Sequence, residues 1–200
     1  MLYIAFIACA AAIAFGVTEL LANVALAGVV FGGTKLGLAG PLGVAIALLS
    51  CFHRQGQGVD LEAVILWGSL ASLAVIDLRS GYVPNLGLLP LMAVAIFHVV
   101  RGGDNFSGAF GALLVGGLAL ALHVLGKGAS FGLGDVKLLA LLGFILGAER
   151  SLTLLGDAFI IGAVIGLTLL ALGRVSRRDA LPFVPMIGLS LLWQVATHAL

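Results

Sequence analysis

Two aspartates stand out in an almost wholly apolar chain, because each lies where a hydrophobic run meets polar residues. Asp77 falls in Ile-Asp-Leu-Arg at residues 76–79, and Asp135 falls in Gly-Leu-Gly-Asp-Val-Lys at residues 132–137. An ionisable group at membrane depth carries a desolvation cost of about 2.5 kcal/mol or more, so it is a candidate functional residue by default. Two such carboxylates could share one proton and activate a water molecule.

The composition predicts a protein that crosses a membrane several times. Hydrophobic residues make up 62% of the 200-residue chain, charged residues make up 10%, and the mean hydropathy is +1.23. A soluble domain would have about a quarter of its residues charged. Because apolar stretches follow one another with only short polar interruptions, we expect an all-α polytopic integral membrane protein in a lipid bilayer. The net charge of +1 gives no indication of nucleic-acid binding.

The hydrophobic pattern divides the chain into two parts. Residues 1–60 are predicted to hold two or three N-terminal hydrophobic helices, and residues 61–200 a six-helix core that carries both aspartates. Cytoplasmic loops are enriched in Lys and Arg. With Asp77 inside, alternate crossings leave three basic residues outside and six inside, namely Arg79, Lys127, Lys137, Arg174, Arg177 and Arg178. Both aspartates are therefore expected at the cytoplasmic membrane face, on different helices.

The residues around Asp135 are suited to an exposed reactive acid. Gly132 and Gly134 leave little side-chain bulk beside it, so another backbone or an extended substrate can approach closely. We expect Asp135 to open a helix, whose N-terminus favours the ionised carboxylate, whereas burial and a second aspartate favour the protonated form. The two acids could then hold one proton between them near neutral pH, which is the aspartic-protease arrangement.

Two motifs, in this order along the chain, resemble those of the type IV prepilin leader peptidase family. The first runs from Asp77 to Pro84 and Asn85, and the second is Gly-x-Gly-Asp-x-Lys at residues 132–137. A third segment, Leu-Pro-Phe-Val-Pro at residues 181–185, resembles the family's Pro-Phe-Gly-Pro element, with Val184 where glycine is usual. The resemblance covers roughly residues 62–198.

The resemblance implies a membrane aspartic endopeptidase of the bacterial inner membrane, with Asp77 and Asp135 as the catalytic pair. Its substrates would be type IV prepilins or pseudopilins, from which it removes a short basic leader after a glycine. No metal or organic cofactor is implied. Larger members also N-methylate the new terminus and carry paired Cys-x-x-Cys motifs, whereas Cys9 and Cys51 lack that spacing. The resemblance therefore implies a short form in which N-methyltransferase activity is not expected.

Four other polar or special residues have simpler roles. Lys137 is expected to anchor its helix at the cytoplasmic interface or, by the resemblance, to tune Asp135 electrostatically. Pro84 suits the start of the next helix, and Asn85 can satisfy backbone groups of the turn. Asp157 is interpreted as a partner to a neighbouring helix or to solvent.

Other interpretations of the two aspartates stay open at this point. Taken singly, Asp77 could pair with Arg79 at a helix end, and Asp135 could be an N-cap. A transporter would also bury acids, but it usually has an internal repeat and acids near the midplane, neither of which is evident. A presenilin-like protease shares Gly-x-Gly-Asp but has Tyr-Asp where this chain has Ile76-Asp77. A non-catalytic partner of a pilus or secretion assembly would tolerate loss of an acid, whereas both are present.

Overall fold

The computed structural model describes residues 61–126, 131–176 and 181–198. These residues fold into helices joined by short connections, without a strand among them, so the predicted all-α class is confirmed for this part of the chain. The predicted helices at residues 1–60 lie outside the described residues. The α-helices are α1 (Leu61–Ser80), α2 (Leu89–Val100), α3 (Asn105–Leu125), α4 (Leu133–Leu146), α5 (Ala148–Ala171) and α6 (Val184–His198).

The chain forms two compact units, and the boundary between them falls within α1. Of the described residues, 61–75 and 83–103 belong to the first unit. The second unit contains residues 76–82 and the described residues from 104 onward. Both aspartates singled out in the sequence therefore belong to the second unit.

In the first unit, an ion-pair cluster joins the start of α1 to the end of α2. Glu62 lies 3.7 Å from Nδ1 of His98 and 3.6 Å from Nη1 of Arg101. The acid stands in the first turn of α1 and the histidine in the last turn of α2, which are the helix ends that favour a negative and a positive charge respectively.

A short 3₁₀ helix, Asn85–Leu88, precedes α2. Gly87 in this 3₁₀ helix lets Leu73 pack closely, since a Cβ there would lie 2.8 Å from the leucine side chain.

In the second unit, α4 is the central helix. It contacts both α3 and α5, and its Leu138, Leu139 and Leu142 are fully buried. The backbones of α4 and α3 touch where Gly143 meets Gly111, because a Cβ on Gly143 would lie only 2.5 Å from the carbonyl oxygen of Gly111. Small residues allow this close approach. The same helix α4 carries Asp135 in its first turn.

Two helices of the described chain, α3 and α5, are long and apolar enough to cross a membrane, judged by length and composition. Their outward faces carry large apolar side chains. Examples are Phe106 and Leu113 on α3, and Ile160 and Leu167 on α5. An apolar surface of this kind on a protein in water marks an interaction site or an aggregation hazard, whereas contact with lipid requires it.

Candidate active site

Asp77 is held in the last turn of α1. The left-handed backbone of Gly81 (φ +61°) lies just beyond the helix, and its N–H donates to the carbonyl oxygen of Asp77 at 2.8 Å. A glycine at this position is the usual way to end a helix, because it adopts positive φ without steric cost. Although Asp77 lies so close to the helix end, its side chain is only 5% exposed. The sequence therefore places a carboxylate in the interior of the second unit.

Asp135 lies in the first turn of α4, as predicted, but it is not the N-cap. That position belongs to Gly132, and Oδ2 of Asp135 accepts a hydrogen bond from the Gly132 N–H at 3.2 Å. The glycine leaves room for the acid, because a Cβ on Gly132 would lie 3.1 Å from that same oxygen. The second oxygen, Oδ1, is buried and has no hydrogen-bond partner among the described residues. Of the two carboxyl oxygens, Oδ2 thus has a hydrogen-bond donor, and Oδ1 has none among the described residues.

The charge of Asp77 affects the pKa of Asp135. Burial, and secondly the negative charge of Asp77, raise the pKa of Asp135 to about 6, against a smaller opposing effect of the Gly132 N–H. A second negative charge nearby disfavours the ionised form of a carboxyl. The charge of Asp77 thus acts on Asp135 although the two residues lie 58 positions apart in the sequence (135 − 77).

The N-terminus of α6 also reaches this site. The backbone N–H of Val184, the first residue of α6, donates to Oδ2 of Asp77 at 2.9 Å in a buried hydrogen bond. This contact was not predicted from the sequence. The Leu-Pro-Phe-Val-Pro segment drew attention to residues 181–185, but the atom that makes the contact is a backbone nitrogen, which no side-chain pattern reveals. Val184 is itself fully buried.

Three phenylalanines pack together beside the segments that contact the acids. The rings of Phe131 and Phe183 meet edge to face at 4.8 Å between centroids, and Phe159 of α5 lies 5.3 Å from Phe183 and 6.2 Å from Phe131. Phe131 directly precedes Gly132, and Phe183 directly precedes Val184. Such pairs are worth about 0.5–1.5 kcal/mol beyond area burial. The cluster thus packs the segments that contain the two backbone donors, Gly132 and Val184, against α5.

The remaining predicted site residues divide between the units. Gly134 is in the first turn of α4 beside Asp135, and Lys137 follows on the same helix with an exposed side chain. Pro84 and Asn85 belong to the first unit, where Pro84 is buried and precedes the 3₁₀ helix with φ −70°, as expected for a helix start. The carbonyl oxygen of Pro84 accepts the N–H of Gly87 at 3.0 Å.

Asp157 on α5 has a structural partner. Nε2 of Gln194 on α6 donates to its carboxylate at 3.4 Å, which confirms the interpretation of Asp157 as a partner to a neighbouring helix. Across the described ranges, no group of three or more His, Cys, Asp or Glu side chains is placed to hold a metal ion.

The chain is similar to proteins of one family. The model of the Type IV leader peptidase family matches residues 64–167, a range that includes both Asp77 and Asp135. The prepilin leader peptidase/N-methyltransferase of Bacillus subtilis (strain 168) is 33% identical over 138 residues, which is 66% of this chain and 54% of the relative. No solved structure matches the chain.

Proteins with the same name from two other bacteria are similar to a comparable degree. The one from Aeromonas hydrophila is 32% identical over 162 residues, 76% of this chain and 54% of the relative. The one from Burkholderia pseudomallei (strain K96243) is 31% identical over 144 residues, 66% of this chain and 45% of the relative. The chain thus spans about half the length of the curated relatives it matches.

Proposed function

The chain belongs to the type IV leader peptidase family, and we propose that it is a membrane aspartic endopeptidase with Asp77 and Asp135 as its catalytic pair. Its substrates would be type IV prepilins or pseudopilins, cleaved after a glycine to release a short basic leader. The names of the relatives support a prepilin peptidase at the level of the family. Since the chain spans about half of those relatives, the proposal covers the peptidase reaction and leaves N-methylation out.

One observation gives the main support for Asp77 and Asp135 as the catalytic pair. Oδ1 of Asp135 is buried without a hydrogen-bond partner among the described residues, while the charge of Asp77 acts on the same carboxyl. A buried polar atom without a partner costs free energy, and such an atom in a native structure calls for an explanation such as a catalytic role. A reacting water or a substrate carbonyl would supply the missing partner.

The two acids can divide the chemistry of peptide hydrolysis. The ionised carboxylate takes a proton from water as the water oxygen attacks the scissile carbonyl carbon, and the protonated carboxyl gives its proton to the carbonyl oxygen. When the C–N bond breaks, the departing nitrogen takes the proton from the first acid. The hydroxyl proton of the intermediate returns to the second acid as the product carboxyl forms. The pair ends the cycle with one proton, as it began.

We place this reaction at the cytoplasmic face of the bacterial inner membrane, in a multi-pass protein whose six-helix core occupies residues 61–200. The apolar outward faces of α3 and α5 support insertion in a bilayer. The excess of Lys and Arg on the side that holds both aspartates supports the orientation.

The experiment is co-expression of the full chain with a type IV prepilin and, separately, with a pseudopilin precursor from the same genome. Leader removal is followed by gel shift and N-terminal sequencing for the wild type, Asp77→Asn and Asp135→Asn. Asp157→Asn is the matched control, because it makes the same chemical change on an acid that binds Gln194 instead. We expect the wild type and the control to cleave after a glycine. In Asp77→Asn and Asp135→Asn the cleavage rate should fall at least about a hundredfold, the typical scale of acid–base catalysis.

Cleavage that persists at the wild-type rate in Asp77→Asn or Asp135→Asn, at equal levels in the membrane, would show that the pair is not catalytic. Absence of cleavage by the wild type with either precursor would favour a non-catalytic assembly partner, a transporter or another Gly-x-Gly-Asp protease. The sequenced N-terminus also reports whether the new terminus is methylated.

A further inference from the structure

The first turn of α6 is short of its own hydrogen-bond partners. The first N–H groups of a helix have no acceptor within the helix and are usually satisfied by a polar side chain just before it. Here the preceding residue is Phe183, whose side chain has no acceptor. Pro185 has no N–H, and the N–H groups of Met186 and Ile187 both donate to the carbonyl oxygen of Phe183, at 3.0 and 3.2 Å. Val184 is left as the donor that needs a partner.

Asp77 supplies that partner from 107 residues away in sequence. Its carboxylate acts as the cap of α6, at 2.9 Å from the Val184 nitrogen and inside the protein. A hydrogen bond from an N–H at a helix N-terminus stabilises the ionised form of a carboxylate, both through the bond and through the helix dipole. Burial raises the pKa of Asp77, and the backbone N–H of Val184, followed by that of Phe183, opposes this rise. The hydrogen bond to Asp135 is longer, at 3.2 Å. The other oxygen of Asp135, Oδ1, is buried without a partner among the residues described.

On the basis of the function proposed above, we infer that the Val184 N–H sets the roles of the two acids: Asp77 is the ionised member that activates water, and Asp135 carries the shared proton on Oδ1. Val184 is then a positioning residue that acts through Asp77. The negative charge of Asp77 acts in turn on Asp135 and favours the protonated form of that carboxyl.

A valine at this position, where the resemblance leads one to expect glycine, preserves the contact. Val184 is the first residue of α6, so it needs the ordinary helical conformation that valine adopts, and the buried side chain is accommodated in the core. The contact with Asp77 uses an atom that valine and glycine share. Proline is the residue that would remove it.

Val184→Pro therefore deletes the donor, and Val184→Ala is its matched control, since alanine truncates the side chain but keeps the N–H. Proline is favoured at the first position of a helix, and Val184 already tolerates a following proline. Leader cleavage is measured as a function of pH for wild type and both variants. We expect Val184→Pro to lower kcat about tenfold or more with KM unchanged, because a hydrogen bond to a charged group is lost. The acid limb of the profile should move to higher pH by about one unit, while Val184→Ala keeps the wild-type profile.

A Val184→Pro variant that keeps the wild-type kcat and profile overturns the inference. So does one that loses activity with its pH profile unchanged, because a purely structural defect would behave in that way. Neither outcome affects the proposed function, which stands or falls on whether the wild type cleaves and whether both Asp→Asn variants lose at least about a hundredfold in rate.

A second comparison holds even if Val184→Pro does not fold. An asparagine at 135 still offers a hydrogen-bond donor in place of the protonated carboxyl, whereas an asparagine at 77 removes the base. Asp135→Asn should therefore retain at least about tenfold more residual cleavage than Asp77→Asn, and its profile should lose the basic limb. A larger residual rate for Asp77→Asn would assign the roles the other way, and equal residual rates would show no division of roles. Either result refutes the inference.

Discussion

The contact between Gly143 and Gly111 should be the most sensitive packing position of the second unit. An alanine at 143 would place its Cβ 2.5 Å from the carbonyl oxygen and 2.7 Å from the carbonyl carbon of Gly111, and 2.9 Å from the nitrogen of Ala112. All three are backbone atoms, which cannot rotate away as a side chain can. The helices must separate by about 0.9 Å to reach the 3.4 Å at which ordinary contact begins.

That separation loosens the whole α3–α4 crossing, so we expect the upper end of the overpacking range, about 3 kcal/mol. The helix propensity gained by replacing glycine offsets about 1 kcal/mol of it. The net loss of about 2 kcal/mol corresponds to a Tm lower by roughly 4–8 °C for a chain of this size. Leader cleavage should fall as well, since α4 carries Asp135.

The assay is thermal unfolding of the purified chain in detergent, with Gly117→Ala as the matched control. Gly117 also lies in α3, but a Cβ there would meet no atom within 4 Å. That variant should therefore gain up to about 1 kcal/mol from helix propensity alone. If Gly143→Ala is as stable as Gly117→Ala, the two backbones are not in contact and the reasoning fails.

Three further expectations concern stability. Folding raises the pKa of Asp135 to about 6. The stability that its proton provides is therefore complete below the pKa of the unfolded chain, near 4, and is lost as the pH rises through about 6. The Tm of the wild type should fall over that pH range and that of Asp135→Asn should fall less, so equal slopes of Tm against pH would contradict the expectation. Glu62→Gln, which breaks the partly exposed pairs with His98 and Arg101, should cost under about 1 kcal/mol and lose its effect at high salt, and a larger, salt-independent loss of Tm would argue against simple ion pairing. Asp104 caps α3 by accepting two backbone N–H groups at 3.2 and 3.1 Å, so Asp104→Ala should cost about 1 kcal/mol while Asp104→Asn stays near wild type in the same unfolding assay.

The sequence was informative wherever a residue type is costly in its surroundings. Asp77 and Asp135 were identifiable because an acid is expensive in an apolar chain, and the structure does couple them electrostatically. The all-α class followed from the long apolar runs. The sequence left two positions open for Asp135 within its turn, since an acid near a helix start can be the N-cap or lie three residues inside it, as here.

The sequence was silent where the contact is made by a backbone atom or depends on distant packing. The aromatic cluster joins residues 131, 159 and 183, and nothing in the spacing of three phenylalanines among eleven in the chain predicts that they meet. The cap of α6 by Asp77 joins residues 107 positions apart. A local pattern can show that a helix lacks a capping side chain, but not which part of the chain will provide one.

Of the two backbone N–H groups that donate to the acids, one could be recognised from the sequence and the other could not. At Gly132 the donor precedes its own acceptor by three residues, and a Cβ would lie 3.1 Å from the carboxylate oxygen, so the position favours glycine and forms part of a recognisable motif. At Val184 the acceptor comes from another helix, and the valine side chain is packed in the core, so any residue with an N–H can make the bond. The donor whose partner is local is therefore visible as a glycine, while the donor that would decide which acid is ionised is visible only in the folded protein.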